Sequence, residues 1–155
     1  MNPTHVQRYI DAFECLTPST LQPLEDCFVE GARFVDPFND VSGKSAIRAV
    51  FEHMFASCED PRFDVDECLS DDGLVYLRWH FSFGNPASRR SVEGVSRIQF
   101  APDGRVTEHR DYWDPASQLY EQIPLLGRLF RALRKRLAAP RISGPDSNSP
   151  SSATT

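Results

Sequence analysis

The sequence predicts an α+β fold in which N-terminal helices pack against a strongly curved, antiparallel or mixed β-sheet that encloses a pocket. Two observations predict it. Before residue 60 the apolar residues recur at helical spacing; after Pro61 they alternate with period two through a long meander. A third bears on the pocket: eleven Phe stand against two Met, which favours a strand-rich core or an aromatic-lined cavity. A curved sheet closed by helices would leave a cone-shaped space.

The elements follow in order. Val6, Ile10, Phe13 and Leu16, with Tyr9 beside them, make residues 3–16 an amphipathic helix. Thr20 can cap a second helix with Pro23 in its first turn and Leu21, Leu24 and Phe28 on its apolar side. A short strand over 32–36 is stopped by Pro37. Ser42-Gly43 opens a third helix, where Ile47, Val50, Phe51, Met54 and Phe55 fall at i, i+3, i+4, i+7 and i+8.

Phe63, Val65 and Glu67 begin the next strand, and Asp71-Asp72-Gly73 turns the chain. Val75, Leu77, Trp79, Phe81 and Phe83 then alternate with Tyr76, Arg78, His80 and Ser82. Gly84-Asn85-Pro86 is a second turn. Strands over 90–101 and 105–114 flank the hairpin signal Pro102-Asp103-Gly104. Residues 116–137 read as a final helix, and 139–155, rich in Pro, Ser, Gly, Asn and Thr, as a disordered tail.

Composition excludes several classes. The net charge is −5, yet residues 116–138 carry five basic residues against one Glu, so the body is more acidic than the total. An acidic body argues against general nucleic-acid binding. No run reaches the roughly 18–20 apolar residues of a membrane span, and the N-terminus has no apolar signal core, so a cytoplasmic protein is expected. Cys15, Cys27, Cys58 and Cys68 form no CxxC pair and have no His at ligand spacing, which predicts reduced thiols and no metal site.

The chemistry concentrates in Glu108–Pro115. Alternation puts His109, Asp111 and Trp113 on one strand face, and Arg110, Tyr112 and Asp114 on the other. An acid, an imidazole and a large aromatic on one face suit a pocket wall.

Two segments carry a resemblance. Val6-Gln7-Arg8-Tyr9 in the first helix and Val35-Asp36-Pro37-Phe38 at the first strand's end are similar, in kind and separation, to segments of the nuclear-transport-factor-2-like superfamily, in its SnoaL-like and ketosteroid-isomerase-like branches. The order of elements over residues 3–115 also resembles that superfamily. The resemblance implies a cone domain over 1–115, followed by a basic amphipathic helix over 116–138 and the tail 139–155. It implies Asp36 as a proton-abstracting base and Tyr9 as donor to an enolate oxygen. Such a base gains pKa from an apolar cavity and shuttles a proton beside a carbonyl, while the donor stabilises the oxyanion.

Ser96 stands where the isomerases have a second aspartate and would be a weak second donor. SnoaL-like cyclases and limonene-epoxide-hydrolase-like members place a functional carboxylate on the last strand, which by strand and face is Asp111. His109 would assist it as an acid/base pair, with Trp79, Phe81 and Trp113 as apolar wall.

The expected function is therefore binding of a hydrophobic small molecule, with isomerase- or cyclase-like proton transfer that needs no cofactor. A non-catalytic ligand-binding or interaction module of the same fold is the alternative. At residue level, Tyr9 reads equally as a core tyrosine, Asp36 as a turn former, the His109–Asp111 pair as a pocket shaper, and Trp113 as packing. A homodimer is expected through the outer sheet face bearing Tyr76, Arg78 and His80. The 116–137 helix would cap the cone mouth, pack in the dimer, or make peripheral contact with an anionic membrane.

Overall fold

The computed structural model describes residues 3–120. As expected, N-terminal helices pack with a curled six-stranded mixed sheet, two of whose strands lie between the second and third helices. Helix α1 (Pro3–Glu14) buries Val6, Tyr9, Ile10 and Phe13 along one stripe, and Leu16 continues it. Helix α2 (Leu21–Asp26) is shorter than its apolar pattern suggests. Phe28 does not close it; it opens strand β1 (Phe28–Val35), fully buried and paired with Val106. Thr20 precedes α2 but does not cap it through its side chain. Its hydroxyl donates to the Cys15 carbonyl at 2.8 Å and accepts from the Thr17 amide at 2.7 Å, so it closes the preceding turn.

Strand β2 (Asp40–Ser42) has no counterpart in the sequence reading, because three residues with one apolar side chain carry no period to read. Tertiary pairing makes it: Phe34 lies opposite Val41, and the Arg33 guanidinium donates to both Asp40 carboxylate oxygens at 2.8 and 2.6 Å. Helix α3 (Lys44–Ser57) starts after Gly43, whose φ of 91° favours glycine, and buries Ile47 and Phe51.

The meander then runs β3 (Arg62–Asp71), β4 (Leu74–Phe83), β5 (Arg90–Phe100) and β6 (Val106–Tyr112). The β3–β4 hairpin turns on Asp72 and Gly73, both with positive φ, the conformation that an Asp-Gly turn matches to strand twist. Strand order is β2-β1-β6-β5-β4-β3, with one parallel pair, β1 with β6.

Two bulges decide which face a side chain takes. Asp66 is an extra residue in β3, so Glu67 pairs with Arg78 on the outer face instead of following Phe63 and Val65 inward. Thr107 is an extra residue in β6: Val106 faces Phe100, while Glu108 faces Gln99. That reset lets Val106 and His109 both be buried, with Asp111 and Trp113 continuing on His109's side. The expected shared side of His109, Asp111 and Trp113 is kept, and the reset turns it toward the cavity.

The last strand ends at Tyr112, two residues before the expected limit. Asp114 instead caps the short helix α4 (Pro115–Gln118), accepting from the Ala116 and Ser117 amides at 2.9 and 3.2 Å, with Pro115 in the first turn. The rest of the basic helix expected over 116–137, with its proposed membrane or dimer contact, and the tail over 139–155 lie outside the described residues. No described helix is long and apolar enough to cross a membrane.

Candidate functional site

The concave face of the sheet and the facing side of α3 enclose a cavity of about 390 Å³. Its walls are overwhelmingly apolar, built from Phe13, Phe34, Phe51, Phe63, Trp79, Phe81 and Trp113 among others. At the rim Phe38 meets Trp113 edge to face, with ring centroids 5.5 Å apart. Leu119 also lines the opening. The Gln118 amide ties this segment to β5, accepting from the Glu93 amide at 2.6 Å and donating to its carbonyl at 3.1 Å.

One polar chain crosses this apolar interior through four elements. Trp79 on β4 donates its indole N–H to Ser96 Oγ on β5 at 2.7 Å. Ser96 donates to Asp111 Oδ1 on β6 at 2.5 Å. His109 Nε2 lies 2.7 Å from the same oxygen, and His109 Nδ1 lies 2.8 Å from the Tyr9 hydroxyl on α1.

Register explains the proximity. Ser96 is directly opposite Asp111, Ile98 opposite His109, and Trp79 opposite Gly94. Gly94 is needed for the first link. A Cβ there would stand 2.4 Å from Trp79 Cζ2, so only a bare Cα lets the indole lie across β5 and reach Ser96.

The donors fix the direction of the chain. An indole N–H can only donate, so Ser96 accepts from Trp79 and gives its own proton to Asp111. With Asp111 ionised, Oδ1 accepts from Ser96 and from His109 Nε2–H. In the His109 tautomer that directs Nε2–H at Asp111, Nδ1 accepts from the Tyr9 hydroxyl. Phe13 and Phe34 sandwich that ring at centroid distances of 5.5 and 4.9 Å. Burial, and secondarily the negative charge of Asp111, hold the Tyr9 phenol's pKa well above its usual value, so it stays protonated. Within the described residues Asp111 Oδ2 makes no hydrogen bond, and Asp111 is part of the cavity wall.

The sequence-predicted residues therefore divide. His109, Asp111, Ser96, Trp79, Phe81 and Trp113 all line the one cavity. Tyr9 does not; at 1% exposure it lies behind His109, to whose Nδ1 it is hydrogen-bonded, and it has no contact with the cavity from which to reach a ligand oxygen. Ser96 touches the cavity, but its proton is engaged by Asp111.

Asp36 reaches the wall from the β1–β2 turn. Its Oδ1 accepts from the Phe38 and Asn39 amides, both at 2.7 Å, and the Asn39 side-chain amide donates to both its oxygens at 3.0 and 2.9 Å. The turn engages this carboxylate from its own backbone.

The sequence places Phe13 on the α1 stripe and Phe34 within the short first strand without a site role for either, yet both line the cavity and stack on His109. The Phe13–Tyr9 spacing of four on α1 was the available signal. Nothing local pointed to Gln118 or Leu119. Among the described residues no group of three or more His, Cys, Asp or Glu is placed to hold a metal.

Comparison with known proteins gives one family. The model of the SnoaL-like domain matches residues 6–109. Among solved structures, a candidate SnoaL-like polyketide cyclase from Shewanella denitrificans superposes with a TM-score of 0.64 at 20% identity, covering 78% of this chain and 100% of that one. A protein with a ketosteroid isomerase-like fold from Catenulispora acidiphila, in complex with trimethylamine, gives 0.65 at 16% identity, covering 77% and 92%. A candidate polyketide cyclase from Sinorhizobium meliloti gives 0.60 at 21% identity, covering 72% and 95%. At these identities the likeness is one of fold. No curated protein matches the chain.

Proposed function

This chain belongs to the SnoaL-like domain family, and on that premise we propose that it binds a hydrophobic carbonyl compound in the cone cavity and moves a proton on it. Asp111 is the base in this reading. The observation that carries it is the free Oδ2 of a carboxylate held rigid at Oδ1 by two donors, at the wall of an apolar cavity. Oδ2 would take a proton from an acidic C–H beside the carbonyl, leaving an enolate. The same oxygen would return that proton at another carbon or oxygen of the ligand, which is the balance of an isomerisation or an intramolecular ring closure. Such a cycle leaves the protein unchanged and requires no cofactor.

His109 and Tyr9 act through Asp111 as positioning residues, and Trp79, Phe81 and Trp113 hold the ligand. Asp36 is better suited to fixing the rim turn, since both its oxygens already accept from that turn. This differs from the role that the resemblance alone implies for it.

A second reading, binding without turnover, draws support from the shortage of a free donor for an enolate oxygen deep in the cavity. Deuterium incorporation into 2-tetralone in D2O, followed by NMR, separates the two. Catalysis predicts accelerated exchange that falls by about 10²–10⁴ in Asp111→Asn and persists in Asp36→Asn. Loss in Asp36→Asn alone would move the base to Asp36, and equal rates with and without protein would leave only binding.

The proposal includes a homodimer through the convex sheet face. Exposed Leu69, Tyr76, Val95 and Tyr112 support it, lying among the Arg78–Glu67 ion pair and the contact of His80 Nδ1 with Asp66 at 2.6 Å. Four free cysteines support a reducing, cytoplasmic setting.

A further inference from the structure

We infer that the cavity selects an apolar ligand that presents a proton to Asp111 and carries no negative charge, such as an aromatic alcohol or amine. The inference rests on reading this cavity as the ligand site, and it names the ligand class by counting hydrogen-bond partners. Among the described residues every N–H or O–H donor deep in the cavity is already engaged: the Trp79 indole by Ser96, the Ser96 hydroxyl by Asp111, His109 Nε2–H by Asp111. The Asn39 amide at the rim is engaged by Asp36. His53 and Ser57 line the open side of the cavity from α3, where Ser57 Oγ and His53 Nε2 lie 3.4 Å apart. What remains in the interior is an acceptor, Asp111 Oδ2.

Charge points the same way. Among the described residues lining the cavity none is Lys or Arg, and two are carboxylates, Asp36 and Asp111. A ligand carboxylate or phosphate would be stripped of water by the apolar wall, would find no Lys or Arg among the described lining residues, and would face Asp111. Like charges at about 4 Å in such a site disfavour binding by on the order of 100-fold or more. An ammonium gains the opposite sign of the same term, together with the faces of Phe63, Trp79 and Trp113. A hydroxyl or enol O–H satisfies Oδ2 without charge. A carbonyl substrate fits the class through its acidic C–H or its enol.

The test uses isothermal titration of the full chain at neutral pH with four probes of one shape. These are 1-naphthylmethylamine, 1-naphthalenemethanol, its methyl ether and 1-naphthoate. The expected order is amine, then alcohol, then ether about ten-fold weaker than the alcohol, with naphthoate at least a hundred-fold weaker than the alcohol. In Asp111→Asn, checked for folding by circular dichroism, the preference for amine over alcohol should vanish while the alcohol still binds. Naphthoate binding within three-fold of the alcohol in the wild type overturns the inference, as does failure of both amine and alcohol to bind. The wild-type ranking decides even where the variant does not fold. Ranking is read from binding alone, so the expected order without any tetralone exchange would sink the reaction and keep the ligand class.

Discussion

Replacing Tyr9 by Phe tests the polarity of the buried chain directly. The variant keeps the ring, and with it the edge contacts to Phe13, Phe28 and Phe100 at centroid distances of 5.1, 5.7 and 5.8 Å. It removes only the hydroxyl that donates to His109 Nδ1. His109 is 3% exposed and stacked on both faces, so water has little access to the orphaned nitrogen. The loss is one hydrogen bond plus the desolvation left on its acceptor, about 1–3 kcal/mol. For a chain of this size the melting temperature should fall by roughly 4–8 °C at the centre of that range.

Urea unfolding measures the energy, and long-range ¹⁵N correlation of His109 measures the tautomer, with Nε2 protonated and Nδ1 bare in the wild type. The pH dependence adds an independent check. The folded phenol's pKa is raised by burial and by Asp111, so the wild type's stability is fully present below the unfolded phenol's pKa of 10.0. It is lost as pH rises from there toward the folded value, because only the unfolded chain can ionise Tyr9. The Tyr9→Phe variant feels no such loss, so the gap between the two proteins should narrow above pH 10. A destabilisation below about 0.5 kcal/mol, or a His109 protonated on Nδ1, would refute the chain as drawn.

Three further outcomes are expected. Gly94→Ala puts a methyl 2.4 Å from Trp79 Cζ2 and 3.0 Å from Trp113 Cβ, so the indole must leave Ser96 at a cost of about 1–3 kcal/mol; unchanged stability together with a still-protected Trp79 indole N–H would contradict this. Asp36→Ala removes the acceptor of two turn amides and should cost about 1–2 kcal/mol while hydrogen exchange at Phe38 and Asn39 rises; unaltered exchange at those amides would show that the carboxylate does not hold the turn. Light scattering at tens of micromolar should report a dimer that Tyr76→Lys weakens, and a wild-type monomer would remove the convex-face interface from the proposal.

The sequence by itself determined what depends on local period. The stripe of α1, the i, i+3, i+4 pattern of α3 and the alternation of β4 each identify their element, because burial of one face selects one spacing. The same rule placed His109, Asp111 and Trp113 together. Only the tertiary structure decided what each functional group bonds to. Tyr9 and His109 are 100 residues apart, and Trp79 and Ser96 are 17 apart; no periodicity encodes whether a buried hydroxyl faces a ligand or an imidazole. Strand β2 and the extension of β1 back to Phe28 exist through pairing with distant residues. The bulge at Thr107 sets which face of β6 looks inward, through one unpaired residue that the pattern of side chains does not announce. Asp36, legible as a strand-end carboxylate before proline, is drawn into its own turn by amides two and three residues on, while Asp111 is left with an oxygen that nothing else in the described chain binds. Hydrogen-bond satisfaction is a property of the whole packed interior, and so the fold was readable from the chain while the identity of the free acceptor was not.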